Sequence, residues 1–330
     1  MAPSCSKQVI FVSGATGFVG SSLIARLSLD NFAVRAAVRS QVCRIPDGVE
    51  TISVGDLGPN TDWLGALNGI SVVVHAAARV HVMADRVVDS LGEYRHANVT
   101  GTLNFARQAA SAGVSRFIFL SSIKVNGEET VFGQRYTPND IPKPSDPYGI
   151  SKYEAEEGLR RIAENTGMEV VIIRPVLVYG PRVKANFFAL MRWLARGVPL
   201  PLGGITENRR SLVFLDNLVD LIVTCIDHSS AANQTFLVSD NEDMSTAVLL
   251  RRMATAFGKP ARLIPVPVGL IKLGAKMIGR PAIAQRLCGS LQVDISKTTS
   301  LLGWVPPVCV NEGLRQTAEY WLRYEAKTTF

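Results

Sequence analysis

The chain has 330 residues, a formal net charge of +7, 47% hydrophobic residues and 19% charged residues. This composition is typical of a globular protein with a sizeable core and excludes long disordered tracts. No apolar run approaches the roughly 20 residues of a membrane-spanning helix. Because the positive charge forms no basic run, we expect it to serve phosphate-bearing small molecules and the surface rather than nucleic acid.

The cysteines and histidines show no metal-binding spacing. Five scattered cysteines form no C-x-x-C pair, and four histidines form no H-x-x-x-H pair. We therefore expect no metal site and reduced thiols. The first residues, MAPSCSKQ, also lack the apolar core of a signal peptide, so we predict a cytoplasmic protein.

The stretch VIFVSGATGFVG, residues 9–20, predicts a nucleotide-binding turn. Its apolar start is typical of a strand buried in a parallel sheet, and the residues after it favour a helix. Gly14, Gly17 and Gly20 allow a tight turn that brings the backbone close to a pyrophosphate at the helix N-terminus. The residues assigned here to cofactor binding are Gly14, Thr16, Gly17, Phe18 and Val19.

The second predicted strand, Phe32 to Val38, ends at Arg39. An acidic residue near this point typically holds the ribose of NAD, whereas an arginine accommodates the 2′-phosphate of NADP. No Asp or Glu lies between Phe32 and Pro46. We therefore favour NADP(H), bound by Arg39 with help from Arg35 or Arg44, and keep NAD(H) as the alternative.

Strands and helices then alternate in the rhythm of a doubly wound parallel sheet. The predicted strands are 50–54, 71–74, 116–120 and 170–173, and the predicted helices are 62–67, 89–112 and 148–164. Ligands bind at the carboxyl ends of such strands. We therefore assign Asp56 to the adenine, with Leu57 beside it, and expect the small side chains of Ala76, Ala77 and Ala78 to let the cofactor approach the backbone.

After Pro175 the pattern becomes irregular, which indicates a smaller C-terminal substrate domain. The predicted division is a Rossmann-type domain over 1–177, with a return segment near 212–240, and a mainly substrate-binding domain over 178–330. Within the latter, residues 269–279 form an amphipathic, basic segment. We favour a core-packed helix of the small domain here and keep a membrane-surface helix as the alternative.

Tyr148 and Lys152 stand four residues apart on a predicted helix and therefore share one face. A nearby ammonium favours the phenolate, so we expect Lys152 to lower the pKa of Tyr148 towards neutrality, where an acid or base catalyst works best. Ser122 follows the fifth strand, where its hydroxyl is able to bond a reacting carbonyl or alcohol. The three residues are predicted as the catalytic group.

Taken together, the motifs resemble the extended short-chain dehydrogenase/reductase family, in its nucleotide-sugar epimerase/dehydratase branch. The motifs are GATGFVG (14–20), GDL (55–57), HAAA (75–78), NVTGT (98–102), FLSS (119–122), YGISK (148–152), RPVLVYGP (174–181) and LLGWVPP (301–307). The resemblance spans nearly the whole chain. It implies that Ser122, Tyr148 and Lys152 form the catalytic triad, and that the protein is a homodimer built on helices 89–112 and 148–164.

The resemblance also implies ligand contacts. Lys152 is expected at the nicotinamide ribose, Asn98 in a supporting proton relay, and Pro175 to Val178 against the nicotinamide. Asn186 and Arg210 are expected at the diphosphate of a nucleotide-sugar substrate, with Arg209 as a competitor of Arg210, and Lys124 is counted with the substrate contacts.

Two departures from the family pattern favour a reductase. Ser122 is followed by Ile123 and Lys124 instead of the acidic pair of dehydratases, and Arg39 stands where epimerases with permanently held NAD carry an acidic residue. We therefore predict a UDP-4-keto-6-deoxy-hexosamine 4-reductase of polysaccharide (lipopolysaccharide) precursor synthesis. The alternatives are a UDP-glucose or UDP-N-acetylglucosamine 4-epimerase with retained NAD, and a non-catalytic NADP-binding sensor or scaffold.

Overall fold

The computed structural model describes residues 8–39, 45–80, 90–131 and 133–325. The strands are β1 (Val9–Ser13), β2 (Ala33–Val38), β3 (Glu50–Ser53), β4 (Val72–His75), β5 (Arg116–Leu120), β6 (Glu169–Pro175), β7 (Leu177–Tyr179), β8 (Leu212–Phe214) and β9 (Thr235–Val238). The helices are α1 (Phe18–Leu29), α2 (Leu64–Leu67), α3 (Ser90–Tyr94), α4 (Thr102–Ser111), α5 (Pro147–Thr166), α6 (Ala185–Ala195), α7 (Leu215–Asp227), α8 (Thr246–Ala256), α9 (Val268–Met277), α10 (Pro281–Cys288), α11 (Ser296–Leu302) and α12 (Val310–Tyr320).

A seven-stranded sheet in the order β3-β2-β1-β4-β5-β6-β9 forms the centre of the molecule. All six of its strand pairs are parallel. The order reverses direction between β1 and β4, and ligands bind at such a switch point in open α/β sheets. The predicted doubly wound, Rossmann-type sheet is therefore confirmed.

Two apolar cores cover the two faces of this sheet. Successive strand residues point to opposite faces, so Ile10 and Val12 join one core and Phe11 the other. The first core includes side chains of α1 and α7, and the second includes side chains of α2, α4 and α5. This layering places the N-terminus of α5 beside the carboxyl end of the sheet.

A third core lies in the C-terminal half, where side chains of α6, α8 and α12 pack with Tyr179 and Phe214. The chain does not separate cleanly there, because β9 pairs with β6 and α7 packs against α1. The residue ranges assigned above to the two domains stay predictions.

The long helical stretch expected over 89–112 is confirmed over the described residues 90–111, but it is not a uniform α-helix. Asp89 lies outside the described residues, and between α3 and α4 the backbone forms a π-helix over Arg95–Gly101. Such turns lie frequently at functional sites. Asn98 lies within this π-helix, where it is buried and bonded to Ser151 of α5.

Residues 269–279 form most of helix α9, as expected, but the expectation that this helix packs into the core is wrong in part. Every residue of α9 is exposed or partly exposed, and Val268 and Ile271 are the residues that pack against the third core. The segment has an apolar side that meets the protein and a second apolar side that faces solvent. Over the described part of the chain, no helix has both the length and the apolar character needed to span a membrane.

Phe105 anchors the second core and provides a test of the packing. Its ring lies 4.1 Å from that of Trp63 and 5.4 Å from that of Phe117, measured between centroids. Replacing a buried Phe by Ala costs about 3–5 kcal/mol because it leaves a cavity. We expect Phe105→Ala to lower the free energy of unfolding in urea by that amount, whereas Leu29→Ala, at a side chain that is 79% exposed, should change it by less than about 0.5 kcal/mol. Equal effects of the two variants would contradict this account.

Candidate active site

The glycine turn after β1 packs closely against the backbone that follows β4. Gly14 has a φ of +72°, and a Cβ added to it would lie 2.6 Å from the backbone nitrogen of Ala77. Gly17 is the N-cap of α1, and no side-chain hydrogen bond caps this helix among the described residues. A helix N-terminus of this kind offers N–H groups and partial positive charge to phosphates. The turn and the backbone of residues 76–78 therefore fit a dinucleotide.

Arg39 and Asp56 meet at the ends of the second and third strands. The Arg39 Nη1 lies 3.6 Å from an Asp56 carboxylate oxygen, and both side chains are exposed. Arg35 cannot assist Arg39, because its Nη1 donates to the carbonyls of Ala66 and Asn68, both at 2.8 Å. That part of the prediction is wrong, and Arg44 lies outside the described residues.

Helix α5 carries the predicted catalytic face. Asp146 caps its N-terminus by accepting a hydrogen bond from Gly149 N at 2.7 Å, and Pro147 occupies the first turn. Tyr148, Lys152 and Glu156 follow at intervals of four residues and so line one side of the helix. The Lys152 Nζ donates to the Leu120 carbonyl at 2.9 Å and lies 5.9 Å from the Tyr148 ring centroid.

Ser122 and Lys124 lie in the segment that packs against the start of α5. Ser122 begins a short 3₁₀ turn, and its Oγ accepts from Lys124 N at 3.3 Å. The Lys124 ammonium pairs with Asp146, the α5 N-cap, and lies 3.5 Å from Glu128. A Cβ on Gly149 would lie 2.9 Å from the Lys124 carbonyl oxygen. The glycine therefore permits the close packing of the segment after Ser122 against the first turn of α5.

The electrostatics differ from the sequence prediction. Burial raises the pKa of Tyr148, and the nearby Asp146 and Tyr94 raise it further. Burial lowers the pKa of Lys152 to about 7, and the carboxylate of Glu156 opposes that shift. The expectation that Lys152 lowers the pKa of Tyr148 is therefore wrong for the protein alone. Lys152 is only partly charged near neutral pH, and the phenol stays protonated.

Asn98 supports α5 rather than reaching Tyr148 or Lys152 directly. Its Nδ2 donates to Ser151 Oγ at 3.1 Å and to the Arg79 carbonyl at 3.0 Å, and its Oδ1 accepts from Arg79 N at 2.8 Å. Ser151 in turn donates to the Tyr148 carbonyl at 2.8 Å. Asn98 thus connects the segment after β4 to the helix that carries the catalytic face.

A buried ion pair beneath the site was not found from the sequence. The Glu156 carboxylate accepts from Arg174 Nε at 2.9 Å and Nη2 at 2.6 Å, and from Ser121 Oγ at 2.5 Å. Arg174 also donates to Asn126 at 2.9 Å. The spacing of Glu156 from Tyr148 and Lys152 was the available signal, since it continues the same helix face.

His75 is a second polar group that sequence reasoning left without a role. Its ring nitrogens bond to Ser13 Oγ at 2.5 Å and Thr102 Oγ1 at 2.9 Å. Burial, with a smaller contribution from the Lys152 charge, lowers its pKa to about 3. His75 is therefore neutral at physiological pH and ties β1, β4 and α4 together.

Among the predicted substrate residues, Arg210 lies apart from Lys124, in the segment that bridges to Met244 and Leu291. The Arg210 Nη1 donates to the carbonyls of Arg286 at 2.9 Å and Gly289 at 3.1 Å, and burial lowers the pKa of Arg210 while Glu129 opposes the shift. Arg209 donates to the backbone carbonyls of Thr206 and Asn208.

The remaining predicted contacts lie in three neighbouring elements. Asn186 lies in the first turn of α6, and its side chain is outside the described part. Pro175 ends β6, and Val178 lies in β7.

Sequence comparison gives a family match and close relatives. The model of the NAD dependent epimerase/dehydratase family matches residues 10–239. A UDP-glucose 4-epimerase of Vibrio cholerae is 52% identical over 315 residues, which cover 95% of both chains. An N-acetyl-alpha-D-glucosaminyl-diphospho-ditrans,octacis-undecaprenol 4-epimerase of Escherichia coli O157:H7 is 27% identical, over 94% of both chains.

Comparison of structures gives the same fold. The UDP-glucuronic acid 4-epimerase of Bacillus cereus, solved in complex with NAD, superposes with a TM-score of 0.77 at 22% identity, and the match covers 96% of this chain and 98% of the other. At this identity the likeness establishes the fold, including the seven-stranded parallel sheet and its flanking helices.

The close approach at Gly149 predicts a position-specific loss of activity. In Gly149→Ala the new Cβ would meet the Lys124 carbonyl, so the backbone around Tyr148 must shift. A misplacement of about 1 Å at a catalytic group costs about a hundredfold in rate. We expect turnover to fall by about ten- to a hundredfold with helix content retained. Gly65→Ala is the matched control, because a Cβ there meets open space. Unchanged turnover in Gly149→Ala would contradict the packing.

The lowered pKa of Lys152 predicts a pH dependence of stability. Between pH 7 and about 10 the unfolded chain binds a proton at this lysine that the folded chain does not. The free energy of unfolding should therefore rise with pH over this window in the wild type relative to Lys152→Met. Urea titrations of cofactor-free protein at several pH values measure it, with Lys143→Met as the exposed control. Parallel curves for wild type and Lys152→Met would contradict a lowered pKa.

Proposed function

Since the chain is an enzyme of the NAD dependent epimerase/dehydratase family, we propose that it is a UDP-sugar 4-epimerase that retains NAD. The observation that carries the proposal is the 52% identity to a UDP-glucose 4-epimerase over nearly the whole chain, together with Tyr148 and Lys152 on one face of α5. These similarities support an epimerase rather than the 4-ketoreductase that the sequence favoured.

The proposed roles rest on the family resemblance and on the shared helix face of Tyr148 and Lys152. When bound, NAD supplies reversible oxidation and reduction at C4 of the sugar. The Tyr148 phenol exchanges a proton with the O4 oxygen, and the Ser122 hydroxyl holds that oxygen by a hydrogen bond. Because burial raises the pKa of Tyr148, the phenol needs an adjacent positive charge to give up its proton, and Lys152 provides one when it is protonated.

For the cofactor we propose NAD rather than the NADP(H) that Arg39 predicted. The Asp56 carboxylate lies 3.6 Å from the Arg39 guanidinium, so a 2′-phosphate placed on Arg39 would also meet a negative charge. A carboxylate at the strand ends is instead suited to accept from a free ribose hydroxyl. The glycine turn, residues 76–78, Leu57, Pro175 and Val178 stay the predicted remainder of this site.

The substrate contacts and the oligomeric state are also proposals. The diphosphate of the substrate is assigned to Arg210 with Asn186, and Lys124 to the sugar side, next to Asp146. The homodimer built on α4 and α5 stays a prediction from the family resemblance. A second candidate changes only the carrier of the sugar to a polyprenyl diphosphate, as in the 27% identical relative. It is favoured by the exposed apolar helices next to Arg210.

The cofactor and Tyr148 together give the decisive test. We expect purified protein to convert UDP-glucose to UDP-galactose without added nucleotide, and to release NAD when it is denatured. Tyr148→Phe should lose about a hundredfold or more in rate and still release NAD. If the protein instead consumed one NADPH for each 4-keto sugar that it converts, the 4-ketoreductase assignment would be correct. A Tyr148→Phe variant that retains full activity would contradict the assigned acid–base role.

A further inference from the structure

Helices α9 and α10 present an apolar surface to solvent that packing within the chain does not explain. Leu270, Leu273 and Met277 follow the spacing i, i+3, i+7 and therefore share one side of α9. Each is more than half exposed, and Met277 is 79% exposed. Val268 and Ile271 lie on the other side and pack against the third core. The helix is thus apolar on two sides, and one of them has no partner among the described residues.

The surface continues beyond the end of α9. Ile278, 70% exposed, follows the helix, and Ile283 in the first turn of α10 is 44% exposed. The two helices pack against each other, so these side chains belong to one exposed ridge. We call it the α9–α10 ridge, and it comprises Leu270, Leu273, Met277, Ile278 and Ile283.

The ridge lies within a segment of the sequence whose charged residues are all basic. From Met244 to Val293 the sequence has eight Lys and Arg residues and no Asp or Glu. This segment carries a formal charge of +8 whereas the whole chain carries +7, so the remainder sums to −1. Lys272, Lys276 and Arg280 are exposed within or directly after α9. Apolar side chains flanked by lysine and arginine are typical of helices that lie in a membrane interface.

We propose that the α9–α10 ridge docks the enzyme reversibly on the surface of an anionic lipid bilayer. The apolar side chains enter the headgroup region, and the basic residues beside them contact lipid phosphates. A second protein copy fits less well, because two such surfaces would bring their positive charges together. With ten residues, α9 is far too short to span the bilayer, so it lies on the surface.

Docking in this way would place a predicted substrate residue close to the bilayer. The carbonyls of Arg286 and Gly289, at the end of α10, accept hydrogen bonds from Arg210. The proposal does not depend on the reaction, because membrane binding is measured without substrate.

Sedimentation with vesicles tests the proposal on the full chain. We expect the wild type to pellet with phosphatidylglycerol vesicles at low salt, to remain in solution with phosphatidylcholine vesicles, and to be released by salt. Leu273→Ser with Met277→Ser, and separately Lys272→Glu with Lys276→Glu, should lower the bound fraction by about tenfold or more. All variants should keep the helix content and the free energy of unfolding of the wild type, which shows that they fold.

Two matched controls make the result specific. Leu29→Ser removes an apolar side chain that is as exposed as Met277, and Lys272→Arg with Lys276→Arg retains the charge; both should bind as the wild type does. A wild type that stays in solution with anionic vesicles overturns the proposal. So does a ridge variant that binds normally. A ridge variant that changes the sedimentation coefficient of the free protein, without any vesicle binding by the wild type, assigns the ridge to self-association instead.

Discussion

The buried Glu156–Arg174 ion pair is the contact on which the geometry of the site depends. Both side chains are at most 2% exposed, and their shortest contact is 2.6 Å. Breaking a buried pair by removing one partner costs about 3–5 kcal/mol, since it leaves an uncompensated charge. Because Glu156 also accepts from Ser121, the pair fixes α5 against the ends of β5 and β6. Lys152 and Tyr148 lie one and two turns earlier on the same helix, so their positions follow.

Burial is the main determinant of the charge state of the site. Burial lowers the pKa of Lys152 to about 7, and the Glu156 carboxylate opposes that shift. Tyr148, beside Asp146, keeps its proton. The free enzyme therefore rests with a neutral phenol and a lysine near the midpoint of its titration. A ligand that brings or removes charge at this point is able to change the protonation of Lys152 with little energy, whereas Tyr148, whose pKa burial raises, needs an adjacent positive charge to release its proton.

The strands of the sheet could be predicted from the sequence, because their signals are local, whereas most side-chain contacts in the site could not, because they join distant residues. Strand β5 has the predicted bounds, Arg116–Leu120, because a short apolar run between turns is a local signal. The π-helix over Arg95–Gly101 leaves no such signal, since it arises from a shift in backbone hydrogen bonding. The role of Arg35 could not be predicted either, because its acceptors, Ala66 and Asn68, lie more than 30 residues away. Motif spacing placed Tyr148 and Lys152 on one face, but their pKa values depend on burial that spacing does not report.

The exposure of the α9–α10 ridge could not be predicted from the sequence either. A run such as GLIKLGAKMIG contains enough apolar residues for a core helix, and composition alone does not say which of them find a partner. In the folded chain Ile271 packs inward while Leu270 and Leu273 face solvent. The distribution of charge was not foreseen either. A net charge of +7 suggested basic residues spread over the surface, whereas the segment from Met244 to Val293, which includes the ridge, alone carries +8. Exposed apolar side chains and the exposed Lys272, Lys276 and Arg280 thus lie on the same short segment, and this combination is what supports the proposed interfacial role.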